Sequence, residues 1–266
     1  MFTWRHLLWL AICAGLVFAT VRAYNRKRPS LDRVLTTALI ISVLSEIAKM
    51  ISVIELVPSQ NGELMLPYLP LNHLPLHFCS IQVILIAVAK FIKNEKHREA
   101  LLAFMAPTCV IGGLLALLMP SIFTTTISVS QAFTSLVSYQ FFIFHSMIIA
   151  LGFIITRSGE IDWSMKHFRT TSLLVYLLGL VSIYLNSMFA SPTYSDGKLV
   201  SVDFWTNFFF TYQNPLEIKI TELWQWYLYL LIIALLATVT LYLFHLPLVI
   251  DENRKEGRDS HDSGKL

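Results

Sequence analysis

Charge is scarce in this chain. Asp, Glu, Lys and Arg make up 14% of its 266 residues, where a soluble domain carries about 25%. A surface so poor in charge is not one that water keeps in solution. Cysteine is sparse too: the three residues show no even pairing pattern, so no disulfide framework is implied. There is no phosphate loop of the GxxxxGK type, which argues against ATP-driven work. No close His/Cys/Asp cluster suggests a metal, and no cofactor is expected. The chain also lacks an Asn-x-Ser/Thr sequon, which fits a bacterial envelope protein.

Apolar residues are abundant instead, at 55%, with mean hydropathy +0.62. These figures exclude a disordered chain, a fibrous repeat and a disulfide-stapled secreted module. The net charge of +3 and pI near 8.7 leave a mild basic bias. The cations do not form a nucleic-acid footprint, because they alternate with apolar stretches long enough to cross a bilayer, so no nucleic-acid partner is expected.

A helix needs about 20 mostly apolar residues to cross the hydrocarbon core. Candidate spans cover 6–24, 34–57, 77–93, 99–119, 136–156, 168–190 and 223–245. The expected fold is an all-α, polytopic seven-transmembrane-helix bundle occupying 1–248 as one membrane domain. Span three is the shortest, and follows Pro67, Pro70 and Pro75, which exclude a helix interior before it. The tail, 249–266, is charged and lacks apolar periodicity, and is expected to be disordered and cytoplasmic.

The charge pattern orients the bundle. Arg22, Arg26, Lys27, Arg28 and Arg33 share one side with Lys90, Lys93, Lys96 and Arg98, then with Arg157, Lys166 and Arg169, and with the tail cations Arg254, Lys255, Arg258 and Lys265. The opposite side has only Arg5, Lys198 and Lys219. Cytoplasmic loops are enriched in Lys and Arg, so the N-terminus is expected outside and the C-terminus inside. Val21-Arg22-Ala23 faintly resembles a cleavage site, but the cations follow the first apolar run rather than precede it. That run is expected to be a retained helix.

Ionisable and polar groups within spans are costly and direct attention to function. Span two carries Glu46 and Lys49 at i, i+3, either an intrahelical pair that neutralises itself or the wall of a polar cavity. At the start of span three, Cys79 and Gln82 share a helical face, while His77 points elsewhere. Cys79 lies at a helix N-terminus, whose dipole favours thiolate. Cys13 and Cys109 are taken as packing residues. Span five places His145 near its midpoint with Ser138 two turns earlier, either a histidine bonded to a neighbouring helix or a general base. In span six, Ser172, Tyr176, Gly179, Ile183 and Asn186 form one stripe. Pro107, Gly112 and Gly113 in span four suggest a kink and close backbone packing. The aromatic residues of 191–222, among them Phe204, Trp205, Phe208, Phe209 and Phe210, form an interfacial belt, and as an extension a lid over a lipid-facing site.

Familiar seven-span classes do not fit. Span seven has no lysine, which excludes a retinal Schiff base there; the inner end of span three lacks the acidic-arginine pair of G-protein-coupled receptors, and 119–135 holds no Cys to bridge to its top. Paired broken helices of a two-halved transporter are not found.

Three segments carry a family resemblance: Leu74-Pro75-Leu76-His77-Phe78-Cys79-Ser80, Gln140-Phe141-Phe142-Ile143-Phe144-His145, and Tyr184-Leu185-Asn186-Ser187-Met188-Phe189. In order and spacing they resemble the third, fifth and sixth helices of the YwaF-like integral membrane proteins, bacterial relatives of a eukaryotic phospholipid acyltransferase branch. The resemblance implies cysteine-dependent acyl transfer between membrane lipids, with Cys79 as nucleophile, His145 as base and Asn186 as an orienting or oxyanion group. This chain has Asn-Ser-Met-Phe at 186–189 where bacterial relatives have Asn-Tyr-Met. His77 is not assigned as the base.

The resulting expectation is a multi-pass protein of a bacterial plasma membrane with membrane lipids as partners. Cys79 and His145 would act in a cavity lined by Glu46, Lys49, His77, Gln82, Ser138, Tyr176 and Asn186. A carrier or sensor for a small or lipid-like ligand is the non-enzymatic alternative, and a structural subunit of a membrane complex is a third. On helix rise alone, His145 would lie about 10 Å below Cys79 unless a tilt or kink brought them together.

Overall fold

A computed structural model of the chain describes residues 2–59, 61–62, 64–123, 125–214 and 218–263, with side chains through 255. Eight α-helices follow in order: α1 Trp4–Lys27, α2 Leu31–Val53, α3 Ile81–Phe91, α4 Glu95–Leu118, α5 Thr126–Ser130, α6 Leu136–Arg157, α7 Met165–Met188 and α8 Leu223–Ser263. All but α3 and the five-residue α5 are long and apolar enough to cross a membrane. The chain is therefore a mostly helical, polytopic membrane bundle. Local signals mark the helix ends. The Thr3 side chain accepts from His6 N at the start of α1, and Asn94 accepts from His97 N at the start of α4. α1 stops at Arg28, which adopts a left-handed conformation at φ 41°.

Short turns alternate the helices, so the two ends of the bundle differ. One end carries the turns 28–30, 92–94 and 158–164, each holding or flanked by Lys or Arg. The other carries two antiparallel hairpins: β1 Glu55–Pro58 with β2 Met65–Tyr68, and β3 Ala190–Ser195 with β4 Lys198–Phe204. These are called the cationic end and the hairpin end below.

α4 and α6 form the centre. Two thirds (67%) of the most apolar window of each is buried, against 17% for α1, α2 and α7 and 6% for α8. Small residues let the central pair approach closely, as expected of 112–113. A Cβ on Gly152 would lie 2.7 Å from the Ala106 carbonyl oxygen, and one on Gly113 would lie 2.5 Å from Ile149 Cγ1. Such close backbone contact replaces a hydrophobic drive that is weak between helices in lipid. On one flank Trp9 of α1 stacks on Phe142 at 4.6 Å, and Cys13 packs below it, buried as expected. On the other, Leu35, Ile86, Leu102, Met105 and Ile148 tie α2 and α3 to the central pair. The perimeter exposes rows of Leu, Ile, Val and Phe, the surface a helix presents to lipid tails.

Two expectations from the sequence are revised. The helix of span three, expected over 77–93, begins at Ile81. Its 11 residues rise only about 16 Å, half of a hydrocarbon core. Before it, Leu71–His73 form one 3-10 turn and 74–80 form successive turns, because Pro70 and Pro75 withdraw backbone donors. The tail expected to be disordered continues α8 past Pro247 to Ser263. Lys255 bonds Asp251 and Glu252 one turn back, which supports that extension. Residues 264–266 lie outside the described residues, as do the side chains of Arg258 and Lys265.

Candidate functional site

The irregular segment before α3 lowers Cys79 from the hairpin end into the bundle. Its Sγ reaches the backbone of α4 and donates to the Gly112 carbonyl oxygen at 3.1 Å. Gly112 makes that approach possible: a Cβ there would sit 2.9 Å from the Phe78 ring and 3.4 Å from Cys79 Sγ. On the next residue, a Cβ at Gly113 would lie 3.2 Å from the His145 carbonyl oxygen. Cys79 and the His145 backbone therefore abut adjacent residues of α4.

His145 is buried, and its tautomer follows from its bond. Nδ1 lies 2.6 Å from the Phe141 carbonyl oxygen, an acceptor only, so Nδ1 carries the proton and Nε2 the lone pair. Nε2 makes no hydrogen bond among the described residues. The base-competent nitrogen is left open.

Gln82, one turn past Cys79, links α3 to α4. Its Nε2 donates to Thr108 Oγ1 at 3.0 Å, and its Oε1 accepts from Cys109 Sγ at 3.2 Å. Cys109, expected only to pack, is thus also part of a buried polar link. Both partners sit on the opposite wall, 26 and 27 residues along the chain. No local spacing signals this.

Glu46 and Lys49 form an intrahelical ion pair, the first of the two readings of their spacing, with both side chains less than a fifth exposed. Lys49 interacts electrostatically with His73, His77 and His145, which places the pair beside the site. Ser45 on the same helix accepts from Gln140 Nε2 at 2.8 Å and joins α2 to α6. His73, in the loop outside the spans, has its pKa lowered, first by burial and then by the Lys49 charge. Ser138 is buried at the hairpin end of α6.

Asn186 has a different place from the one the resemblance implies. Its Nδ2 donates to the Phe208 carbonyl oxygen and to Thr211 Oγ1, at 3.1 and 2.9 Å. Its Oδ1 accepts from Thr206 Oγ1 and Phe208 N, both at 2.9 Å. With the whole amide committed, Asn186 clasps the segment 206–211 and offers no donor to an oxyanion. That segment packs against the turns that carry Cys79: Phe208 meets the His77 ring edge-on at 4.9 Å, and Phe209 meets Phe78 at 5.2 Å. Phe209 and Phe210 are left-handed, at φ 57° and 54°, a strained backbone that the clasp holds. Trp226 Nε1 and Tyr229 OH pin the segment from α8 through the Thr211 and Phe210 carbonyls. His77 Nε2–H donates to the Asn72 carbonyl oxygen at 3.1 Å, so the lone pair of its neutral ring lies on Nδ1.

Tyr176 is not gathered with the others. It is 37% exposed and bonds Thr238 of α8, so the stripe on α7 divides. Ser172 and Asn186 turn inward, while nothing approaches Gly179. The backbone N–H groups of Cys79 and Ser80, just before α3, make no hydrogen bond among the described residues. They are donors at the positive end of a helix dipole. No group of three His, Cys, Asp or Glu suited to a metal occurs among the described residues.

Six long apolar helices around a glycine-packed central pair define a multi-pass membrane protein. The chain belongs to the TMEM164 family, whose model matches residues 1–244. No curated protein and no solved structure matches it.

Proposed function

We propose that the chain transfers or hydrolyses acyl groups of membrane lipids, with Cys79 as nucleophile and His145 as base. His145 Nε2 takes the thiol proton as Cys79 Sγ attacks the ester carbonyl carbon. The C–S bond forms, the ester C–O bond breaks, and the proton on Nε2 passes to the departing lysolipid oxygen. In the second half, an acceptor hydroxyl or water gives its proton to Nε2 and attacks the thioester. The thiolate leaves and recovers that proton. The free N–H groups of Cys79 and Ser80 would receive the oxyanion in both halves, a role taken over from Asn186.

The observation that carries this reading is the approach of Cys79 Sγ and the His145 carbonyl to the adjacent Gly112 and Gly113, together with the Nδ1 bond to Phe141 that would leave the lone pair of a neutral imidazole on Nε2. The seven-span plan enters here too, with α3 and the turns before it counted as the third crossing. The hairpin end would face outward from a bacterial plasma membrane. A carrier or sensor of a small or lipid-like ligand is the second reading, favoured by the half-buried Glu46–Lys49 pair beside the same histidine.

Intact-mass analysis of detergent-purified protein incubated with mixed phospholipids separates the two. Acyl transfer requires a hydroxylamine-labile acyl adduct on the wild type, formed about 100-fold more slowly in His145→Ala. Cys79→Ser could form only a hydroxylamine-stable ester. An absent adduct, with Cys79 unreactive toward a small maleimide, would overturn the nucleophile and favour the carrier. In that case Glu46→Gln should abolish ligand binding while Cys79→Ala keeps it.

A further inference from the structure

At the cationic end, far from Cys79, α1 and α2 both rest on α6 and diverge from each other. Between them lies an open cleft of about 260 Å³. Its floor is apolar, formed by Met147, Ala150 and Ile154 of α6, and Ala23 of α1 lines one wall. The short turn that joins the two helices sets Lys27 and Arg33 at the mouth. No acidic residue lines the cleft.

Some cations at this end are paired and others are not. At the same end Lys90 pairs with Asp32, Arg98 with Glu160, and Lys255 with Asp251 and Glu252. Neither Lys27 nor Arg33 forms an ion pair among the described residues. Two unpaired cations at the water-facing end of an apolar cleft, with the cleft running along the helices toward the bundle centre, complement one class of ligand. We propose that the cleft binds an anionic phospholipid, with an acyl chain along α6 and the phosphate between Lys27 and Arg33. A free anion would leave the apolar floor uncovered, and a zwitterionic lipid would leave positive charge uncompensated.

Native mass spectrometry of the detergent-purified full chain tests this, using phosphatidylglycerol and phosphatidylcholine with identical acyl chains. The wild type should retain about tenfold more phosphatidylglycerol, as two basic side chains near a membrane surface imply. Lys27→Gln with Arg33→Gln should bring its retention down to that of phosphatidylcholine. Lys93→Gln with Lys96→Gln removes the same charge from exposed positions at that end and should change nothing. Ala23→Phe, at an exposed cleft position outside the core, should reduce retention of both lipids by obstructing the chain. Equal retention of the two lipids by the wild type would overturn the proposal. So would an equal loss in the Lys93 and Lys96 variant, no effect of Ala23→Phe, or complete displacement of phosphatidylglycerol by inorganic phosphate.

Discussion

At the scale of single residues, two glycines in similar helical settings should respond to the same substitution with opposite signs. Gly152 faces α4 so closely that an added methyl would meet the Ala106 carbonyl oxygen and Val110 Cγ2, at 2.7 and 2.6 Å. A backbone oxygen cannot rotate aside, so the central pair must separate. Gly152→Ala should destabilise by about 1–3 kcal/mol. Gly179 lies within α7 with nothing inside 4 Å of the added carbon, and Ala restricts the unfolded chain more than Gly does. Gly179→Ala should be neutral or stabilise by up to about 1 kcal/mol. Thermal melts of both variants in one detergent compare them, and a Gly152→Ala protein as stable as the wild type would show that α4 and α6 are not held at backbone contact.

At the scale of elements, the segment 206–211 depends on one side chain from another helix. Removing the Asn186 amide leaves Phe208 N–H and the Thr206 hydroxyl without a partner in a buried place, while the Phe208 carbonyl keeps Thr211 and the Thr211 hydroxyl keeps Ser182. Loss of such bonds costs about 1–3 kcal/mol, which raises local opening about tenfold or more. Asn186→Ala should therefore accelerate amide exchange at 206–211 while leaving α4 and α6 unchanged. Asn186→Asp, which keeps the acceptor for Thr206 and Phe208 N–H, should have a smaller effect. Unchanged exchange in Asn186→Ala would assign the segment to Trp226 and Tyr229 instead. The same case shows where the sequence was informative. The long helices were legible because an apolar run of that length has few alternatives in a bilayer. The close packing at Gly112 and Gly113 was legible from residue size. The role of Asn186 was not, since its partners lie 20 to 25 residues away in an aromatic loop without a periodic signal. Nor was the start of α3: Leu74, Leu76 and Phe78 are as apolar as a helix, and only the flanking prolines point to turns. Tyr176 shares helical spacing with Asn186, yet a bond to α8 takes it to the outer face.

At the scale of the whole molecule, lysine and arginine are distributed unevenly between the two ends, and an N-terminus outside with the C-terminus inside is the orientation this bias predicts. Among the described residues, fifteen lie on the side of the turns 28–30, 92–94 and 158–164 and the C-terminal extension, against Arg5, Lys198 and Lys219 on the hairpin side. Part of this excess is internally neutralised, since Asp32 and Glu160 pair with Lys90 and Arg98. Acidic partners contribute little to orientation, so the pairs do not cancel the bias. The orientation also bears on the chemistry. It would turn Cys79 and the segment with Phe208 and Phe209 toward the outer leaflet, while the Lys27 and Arg33 cleft would meet the leaflet richer in anionic lipid on its inner side. In a background with Cys13, Cys79 and Cys109 replaced by alanine, Asp196→Cys in the β3–β4 turn should react with a membrane-impermeant maleimide in intact cells. Lys96→Cys, in the turn before α4, should react only after the membrane is opened. The reverse pattern would invert the bundle and place the candidate site on the inner leaflet. Equal labelling of both positions in intact cells would mean that insertion is mixed and that the charge asymmetry does not orient this chain.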